Sequence, residues 1–179
     1  MLNAKNTGII VVDIQGKLAR IVDNSQATIA ACKNLINAGQ ELGLPLVWLE
    51  QNPEKLGQTV PEIRKELLPN KPIAKTSFNG CAEPQFMEAV EHAQKSAWLV
   101  CGIEAHICVF QTATQLQQHG YQVHVLADCI ASRHPHNKQI ALERLASNGI
   151  TISSLEMSLF ELVADCRSPA FKPILNLIK

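Results

Sequence analysis

Cys108 is the residue of this chain best suited to nucleophilic chemistry. It lies between an apolar run at 96–101 and a helical pattern at 111–119. A thiol in a turn between a buried strand and a helix lies near backbone N–H groups and the positive end of the helix dipole, which favour the thiolate. The position predicts a nucleophile with a lowered pKa, and ordinary packing of a small apolar side chain is the alternative.

Two more reactive side chains end predicted strands. Asp13 ends a continuous β-branched run that starts at Gly8, and Lys75 ends a short apolar segment that starts at Pro72. Taken alone, Asp13 could cap a loop and Lys75 could be a solvated charge. Because the carboxyl ends of parallel strands meet at one edge of a sheet, we expect both to lie near Cys108. Such a group would combine an acid/base, a cation and a nucleophile.

Apolar runs alternate with helical patterns along the whole chain, which predicts parallel βαβ units. We expect a single α/β domain over residues 1–179, built as a three-layer α/β/α sandwich around a six-stranded, Rossmann-like parallel sheet. The predicted strands are 8–13, 45–49, 72–75, 96–101, 121–128 and 150–152. The predicted helices are 25–42, 61–67, 83–92, 111–119 and 137–147, followed by two short C-terminal helices.

Composition narrows the classes of partner. Sixteen basic residues balance sixteen acidic ones, and 46% of the residues are hydrophobic, so the chain predicts a small-molecule substrate with no nucleic acid and no membrane as partner. The first βα turn lacks a glycine-rich phosphate motif, so we expect no nucleotide cofactor. The six cysteines show neither a CxxC motif nor zinc-ligand spacing, which predicts reduced thiols. The N-terminus shows no signal-peptide pattern, so we expect a cytoplasmic protein.

Several segments in register resemble the cysteine hydrolases of the isochorismatase-like superfamily. They are VVDIQ at 11–15, KTSF at 75–78, GIEAHICVFQTA at 102–113, GYQVHVLAD at 120–128 and ASR at 131–133. The resemblance covers nearly the whole chain and is strongest to the branch of uncharacterised isochorismatase-domain proteins, which are related to nicotinamidases and N-carbamoylsarcosine amidohydrolases. It implies the strand order 3-2-1-4-5-6, a homo-oligomer and hydrolysis of a small C–N bond, of the amide type.

The resemblance also implies a role for each of the three reactive residues. Cys108 would attack the carbonyl carbon and form a thioester, Asp13 would transfer protons, and Lys75 would hold Asp13 in place. A non-proline cis peptide would fall between Ile103 and Glu104. It would direct the backbone N–H groups of Glu104 and Cys108 at the developing oxyanion.

Neighbours of these residues in sequence are candidates for the pocket wall. They are Leu18, Gln51, Phe78 and Ile107. His106 precedes Cys108 by two residues, but side chains at that spacing in a turn need not meet, so we expect no catalytic role for it. The apolar surfaces of Trp48, of Trp98 or of the C-terminal helices are candidates for a subunit interface.

Two departures from relatives bear on the chemistry. Nicotinamidases carry an Asp-x-His metal motif after the second strand, whereas no histidine stands between Leu49 and Lys75 here. We therefore expect no catalytic metal. Isochorismatases that cleave a vinyl ether lack the cysteine nucleophile. Two other functions stay open: a catalytically silent binding or scaffold protein, and a thiol redox sensor in which Cys101 would resolve oxidised Cys108.

Overall fold

Six parallel strands form the centre of the molecule. The computed structural model describes residues 1–179. The strand order is β3-β2-β1-β4-β5-β6, which confirms the predicted order and fold class. The strands are β1 (Thr7–Val12), β2 (Leu46–Gln51), β3 (Ile73–Lys75), β4 (Ala97–Ile103), β5 (Gln122–Ala131) and β6 (Thr151–Ser153).

Helices cover both faces of the sheet. They are α1 (Leu18–Ile21), α2 (Ser25–Glu41), α3 (Pro53–Leu56), α4 (Pro61–Leu67), α5 (Pro84–His92), α6 (Phe110–Gln118), α7 (Pro135–Ser147), α8 (Leu155–Val163) and α9 (Phe171–Ile178). A 3₁₀ turn occupies Gly80–Ala82 and a π-helical turn occupies Ala105–Val109. Helices α2, α4, α8 and α9 contribute to one apolar core, and α5, α6 and α7 contribute to the other. No helix is both long enough and apolar enough to cross a bilayer.

Strand β4 shows why the central strands are apolar throughout. Leu99 and Cys101 belong to the core on one face, while Trp98 and Val100 belong to the core on the other. A parallel strand covered on both faces has no solvent-facing side chains. The two tryptophans are part of this packing, with Trp48 2% exposed and Trp98 fully buried. The expectation that they form a subunit interface is therefore wrong.

The carboxyl ends of β1 and β4 approach each other unusually closely at Gly102. This glycine has a φ of +129°, and a Cβ built on it would lie 2.0 Å from the carbonyl oxygen of Val12. Only glycine fits that position. The register between β4 and β5 also shifts between Val100 and Gly102, and β5 continues to Ala131, beyond the predicted end at Asp128. The close approach places the residue after Val12 beside the turn that follows β4.

Candidate active site

Asp13 and Lys75 form a buried ion pair at the carboxyl edge of the sheet. Lys75 Nζ lies 2.7 Å from Asp13 Oδ2, and the two side chains are 0% and 3% exposed. The ammonium also donates to Gln51 Oε1 at 2.7 Å and to the carbonyl oxygens of Ser77 and Phe78 at 3.2 and 3.4 Å. The lysine is therefore surrounded by acceptors and fixed in position.

The second carboxylate oxygen of Asp13 has no protein partner other than the neighbouring Cys108 thiol. Oδ1 is buried, and the thiol interacts with this carboxylate. Burial raises the pKa of Asp13 above its ordinary value, and the charge of Lys75 opposes that rise. The backbone of Asp13 has a φ of +51°, in the left-handed region that aspartate tolerates better than most residues. This arrangement leaves one acceptor oxygen available for a proton.

Gln51 and Gln15 hold the ion pair from the β2 side. Gln51 accepts from Lys75 through Oε1 and donates through Nε2 to the Thr76 carbonyl at 2.7 Å. The Gln15 side chain accepts from the Gln51 backbone N–H at 2.6 Å and donates to the Gln51 and Gly57 carbonyls at 3.0 and 2.7 Å. These bonds orient the amide of Gln51 so that its oxygen faces the ammonium.

Cys108 lies in the π-helical turn between β4 and α6 and is 6% exposed. The peptide bond between Ile103 and Glu104 is cis, as the family resemblance implied. Ile107 and Val109 donate their backbone N–H groups to the Glu104 carbonyl at 3.1 and 3.3 Å, whereas the N–H of Glu104 itself donates to no protein acceptor. The turn therefore leaves this N–H available beside the thiol.

The predicted low pKa of Cys108 is wrong. Burial raises the pKa of this thiol to about 12, and the negative charge of Asp13 adds to the rise, while Lys75 opposes it. The N–H groups and the helix dipole of the turn can be inferred from the sequence, whereas the loss of water around the sulfur depends on segments distant in the chain. A desolvated thiolate beside a carboxylate is unfavourable, so the resting group is the thiol.

A salt bridge ties the Cys108 turn to the end of β5. Both carboxylate oxygens of Glu104 accept from Arg133 Nε at 3.2 Å, and Oε2 also accepts from the Arg133 backbone N–H at 2.8 Å. His106 turns away from the thiol: its Nδ1 lies 2.9 Å from Ser132 Oγ and its Nε2 lies 3.4 Å from Asn137 Nδ2. Through these contacts, His106 also links the Cys108 turn to the residues that follow β5.

A cavity of about 150 Å³ brings the predicted residues together. All four expected wall residues, Leu18, Gln51, Phe78 and Ile107, line it beside Asp13, Glu104 and Cys108. Lys75 does not line the cavity and instead contacts Asp13 from behind. Phe78 is 55% exposed at the mouth.

Three residues around this cavity were not predicted from the sequence. Leu56 and Ile103 complete the apolar wall, and Gln15 supports Gln51. Leu56 reaches the site because α3 packs against the first βα turn, where a Cβ on Gly16 would lie 2.2 Å from the Leu56 carbonyl oxygen. Gln15 stands in the quoted segment at 11–15, so its position in the motif was the available signal. No local pattern indicated Leu56.

The other cysteines and the possible metal ligands lie elsewhere. Cys101 packs in the core on the opposite face of the sheet from Cys108, and all six cysteines are unpaired. No group of three histidine, cysteine, aspartate or glutamate side chains is arranged to hold a metal ion. The site therefore consists of the ion pair, the thiol and the apolar wall.

The sequence profile of the Isochorismatase domain matches residues 7–157. The chain belongs to the isochorismatase family. It is 33% identical to isochorismatase domain-containing protein 2 of Danio rerio, over 99% of this chain and 89% of that protein. It is 34% identical to the secreted isochorismatase effector Isc1 of Phytophthora sojae, over 96% of this chain and 83% of that protein.

Solved structures of this fold agree with the assignment. The structure described as the MAR1 ribonuclease of Caenorhabditis elegans superposes with a TM-score of 0.93 at 32% identity, over 99% of this chain and 91% of that one. The YcaC gene product of Escherichia coli, described as an octameric hydrolase of unknown specificity, superposes with a TM-score of 0.93 at 19% identity, over 98% and 89%. The chain therefore has an isochorismatase-like hydrolase fold.

Proposed function

We propose that this isochorismatase family protein is a cysteine hydrolase that cleaves an amide-type C–N bond of a small molecule through a thioester. One observation supports the proposal above all others: the Cys108 thiol lines the same cavity as Asp13, and Asp13 is paired with the buried Lys75 behind it. A nucleophile, a proton acceptor and a fixed cation are the groups that acyl transfer needs.

The first step is attack on the carbonyl carbon by a thiol that starts protonated. Because burial raises the pKa of Cys108, the sulfur attacks only as its proton moves to a base. Oδ1 of Asp13 is that base. The S–C bond forms while the C=O π bond opens, and the carbonyl oxygen becomes an oxyanion. The backbone N–H groups of Glu104 and Cys108 are the donors that we assign to this oxyanion.

Collapse of the tetrahedral intermediate completes acylation. The oxyanion re-forms the C=O bond, the C–N bond breaks, and the leaving nitrogen takes the proton held by Asp13. Ammonia or an amine departs and a thioester remains on Cys108. A water molecule then gives a proton to Asp13 and attacks the thioester, and the sulfur regains that proton as the acid departs.

Lys75 and Gln51 serve this cycle through Asp13. The ammonium holds Oδ2 and so leaves Oδ1 facing the thiol, and it stabilises the carboxylate each time the proton leaves. Gln51 fixes the direction of the ammonium. The proposed cycle needs no metal ligand, which is in keeping with the absence of histidine between Leu49 and Lys75.

The competing functions have less support. Redox sensing would require a partner thiol, but Cys101 lies in the core on the far face of the sheet from Cys108. A silent binding protein would not need a buried ion pair beside a thiol, since burying charges is costly. We therefore place hydrolysis ahead of both.

Ribonuclease activity is a second candidate, because the relative from Caenorhabditis elegans is described as a ribonuclease. A phosphodiester would require cationic groups at the cavity, and the lining contains none. The chain also has a formal net charge of zero. We expect no RNA cleavage, and incubation with a fluorescent single-stranded RNA at the protein concentration of the amide assays tests this.

Intact-protein mass spectrometry with small amides tests the hydrolase proposal. We expect ammonia release together with a mass increase equal to the acyl group, located on Cys108 by peptide mapping. Cys108→Ala should abolish both signals. Cys166→Ala is the matched control, because this cysteine is exposed and lies outside the site. Undiminished ammonia release by Cys108→Ala would refute the thioester route.

Assembly and location are proposed on separate grounds. The relative from Escherichia coli is described as octameric, and we propose that this chain also forms a homo-oligomer, which light scattering on the purified protein tests. Six unpaired cysteines favour a reducing compartment such as the cytoplasm. The relative from Phytophthora sojae is described as secreted, so localisation of a tagged chain is the deciding measurement.

A further inference from the structure

The polar groups of the cavity are nearly all occupied by protein partners. Both oxygens of Glu104 accept from Arg133, and the side-chain oxygen and nitrogen of Gln51 contact Lys75 and Thr76. Lys75 donates to Asp13, Gln51 and two backbone carbonyls, so it offers nothing to a ligand. Ionised substituents of a substrate would therefore find no counter-charge.

Besides the Cys108 N–H already assigned to the oxyanion, two polar groups beside the thiol can serve the reacting group of a substrate. The Glu104 N–H can donate to a carbonyl oxygen, and Asp13 Oδ1, which interacts with the Cys108 thiol in the free protein, can also accept from an amide N–H. A carbonyl oxygen and an N–H donor occur together in a carboxamide group. The cavity thus has hydrogen-bonding capacity for the reacting group and for little else.

The remainder of the cavity is apolar and small. Its wall consists of Leu18, Leu56, Phe78, Ile103 and Ile107. The volume of about 150 Å³ is similar to that of an apolar protein cavity that holds benzene, so the enclosed part of the site accommodates about six non-hydrogen atoms of a substrate. A charged group buried against this wall would lose its hydration without compensation.

We propose that the substrate of this site is a short, uncharged aliphatic amide whose hydrocarbon chain packs against Leu56, Phe78 and Ile107. This inference rests on the proposed hydrolase function. It adds that the site selects against both anionic and cationic substrates, and that the selection comes from the apolar wall and the occupied polar groups.

Three amides with the same four-carbon chain test the selection. Butyramide is uncharged, succinamate ends in a carboxylate, and 4-aminobutanamide ends in an ammonium. We expect kcat/KM for ammonia release to be on the order of 100-fold higher for butyramide than for either charged amide. The cationic amide is needed because Asp13 alone could repel the anion. Comparable values for butyramide and one of the charged amides would overturn the inference and leave the hydrolase proposal standing.

A second measurement does not depend on turnover. Iodoacetamide and iodoacetate share a reactive centre and differ in charge, and the exposed Cys166 provides an internal reference in the same protein. We expect the ratio of the two alkylation rates to favour iodoacetamide at Cys108 by at least about tenfold relative to the ratio at Cys166. Equal ratios at the two cysteines would contradict an apolar, charge-excluding cavity.

Substitutions of Leu56, at the mouth of the cavity, test whether the apolar wall causes the selection against charged molecules. Leu56 is 38% exposed, so Leu56→Arg can place a cation beside the cavity without burying it fully. In Leu56→Arg we expect a smaller ratio of iodoacetamide to iodoacetate alkylation rates at Cys108 and a higher turnover of succinamate relative to butyramide. In Leu56→Met we expect the wild-type preference for the uncharged reagent and the uncharged amide. An unchanged ratio in Leu56→Arg would overturn the role of the wall. Turnover of none of the three amides would overturn the substrate assignment, even if the alkylation preference were found. The hydrolase proposal would fail separately, if no small amide left an acyl group on Cys108.

Discussion

The carboxylate of Glu104 accepts both the backbone N–H and the guanidinium Nε of Arg133, and so joins the Cys108 turn to the end of β5. Glu104 is 4% exposed, whereas the Arg133 side chain is 48% exposed. The backbone contact is therefore the more protected part of the interaction. This difference in burial leads to a prediction about the two residues.

Replacing Glu104 should harm the site more than replacing Arg133. Glu104→Ala leaves a backbone N–H unsatisfied and frees the turn, so we expect kcat to fall by about 10- to 100-fold. Arg133→Met keeps its own backbone N–H and should cost less than about tenfold. Rates of amide hydrolysis by the two purified variants show which substitution costs more activity. Circular dichroism confirms that both variants are folded. A larger loss in Arg133→Met would show that the guanidinium is the important contact.

Removal of one partner of the Asp13–Lys75 pair should destabilise the fold. Lys75→Met leaves a carboxylate buried without its cation, and we expect the free energy of unfolding in urea to fall by roughly 3–5 kcal/mol. The exposed pair of Arg20 and Glu62 is the matched control, since its side chains are each 45% exposed. Arg20→Ala should cost at most about 1 kcal/mol. Equal losses in the two variants would contradict the burial of the Asp13–Lys75 pair.

The thiol of Cys108 should make the folded state less stable at alkaline pH. Its pKa rises from an ordinary 9.0 to about 12 in the folded protein, so the unfolded chain loses this proton first. Between those pH values the folded state binds more protons, and stability falls as pH rises, by up to about 1.4 kcal/mol per pH unit.

Urea titrations from pH 8 to about pH 11 measure this effect. Other buried thiols also contribute to the pH dependence of the free energy of unfolding. The informative quantity is therefore the difference in this pH dependence between the wild type and Cys108→Ser. We expect the loss of stability with pH to be shallower in the variant, with Cys166→Ser matching the wild type. Parallel curves for the wild type and Cys108→Ser would show that Cys108 has the same pKa in both states.

The proposed hydrolase activity should depend on the ionisation of Asp13. Because burial raises the pKa of this carboxyl group, kcat/KM for an uncharged amide should rise with pH above the range expected for an ordinary aspartate. Asp13→Asn removes the proton acceptor and should lower kcat by at least about 1000-fold. A pH profile in Asp13→Asn with the wild-type shape at reduced amplitude would indicate that another group accepts the proton.

Gln15 should matter for stability although it does not line the cavity. Its side chain is fully buried and joins the Gln51 backbone to the Gly57 carbonyl. Gln15→Leu leaves the Gln51 N–H without a partner, and we expect a loss of about 1–3 kcal/mol in the free energy of unfolding. Gln117→Leu, in α6 away from the site, is a suitable comparison. A near-neutral Gln15→Leu would mean that the surrounding turn rearranges to satisfy the Gln51 backbone.

Much of the fold was available from the amino-acid sequence by itself. Continuous β-branched runs such as Gly8 to Val12, each followed by a helical pattern, determine a parallel sheet, because apolar side chains on both faces of a strand need two covering layers. The polar residues that end these runs, Asp13 and Lys75, fall at the carboxyl edge by topology. The positions of Asp13, Lys75 and Cys108 at one edge followed from local pattern and chain order.

Only the tertiary structure decided how these residues behave. The pKa of Cys108 depends on water excluded by segments far away in the chain, and the wall residue Leu56 comes from a short helix that no periodic pattern indicated. The contact between Glu104 and Arg133 joins residues 29 positions apart. Burial, desolvation and side-chain partners depend on how distant segments pack. A sequence pattern can therefore locate the strands along the chain and still give the wrong charge state for the thiol between them.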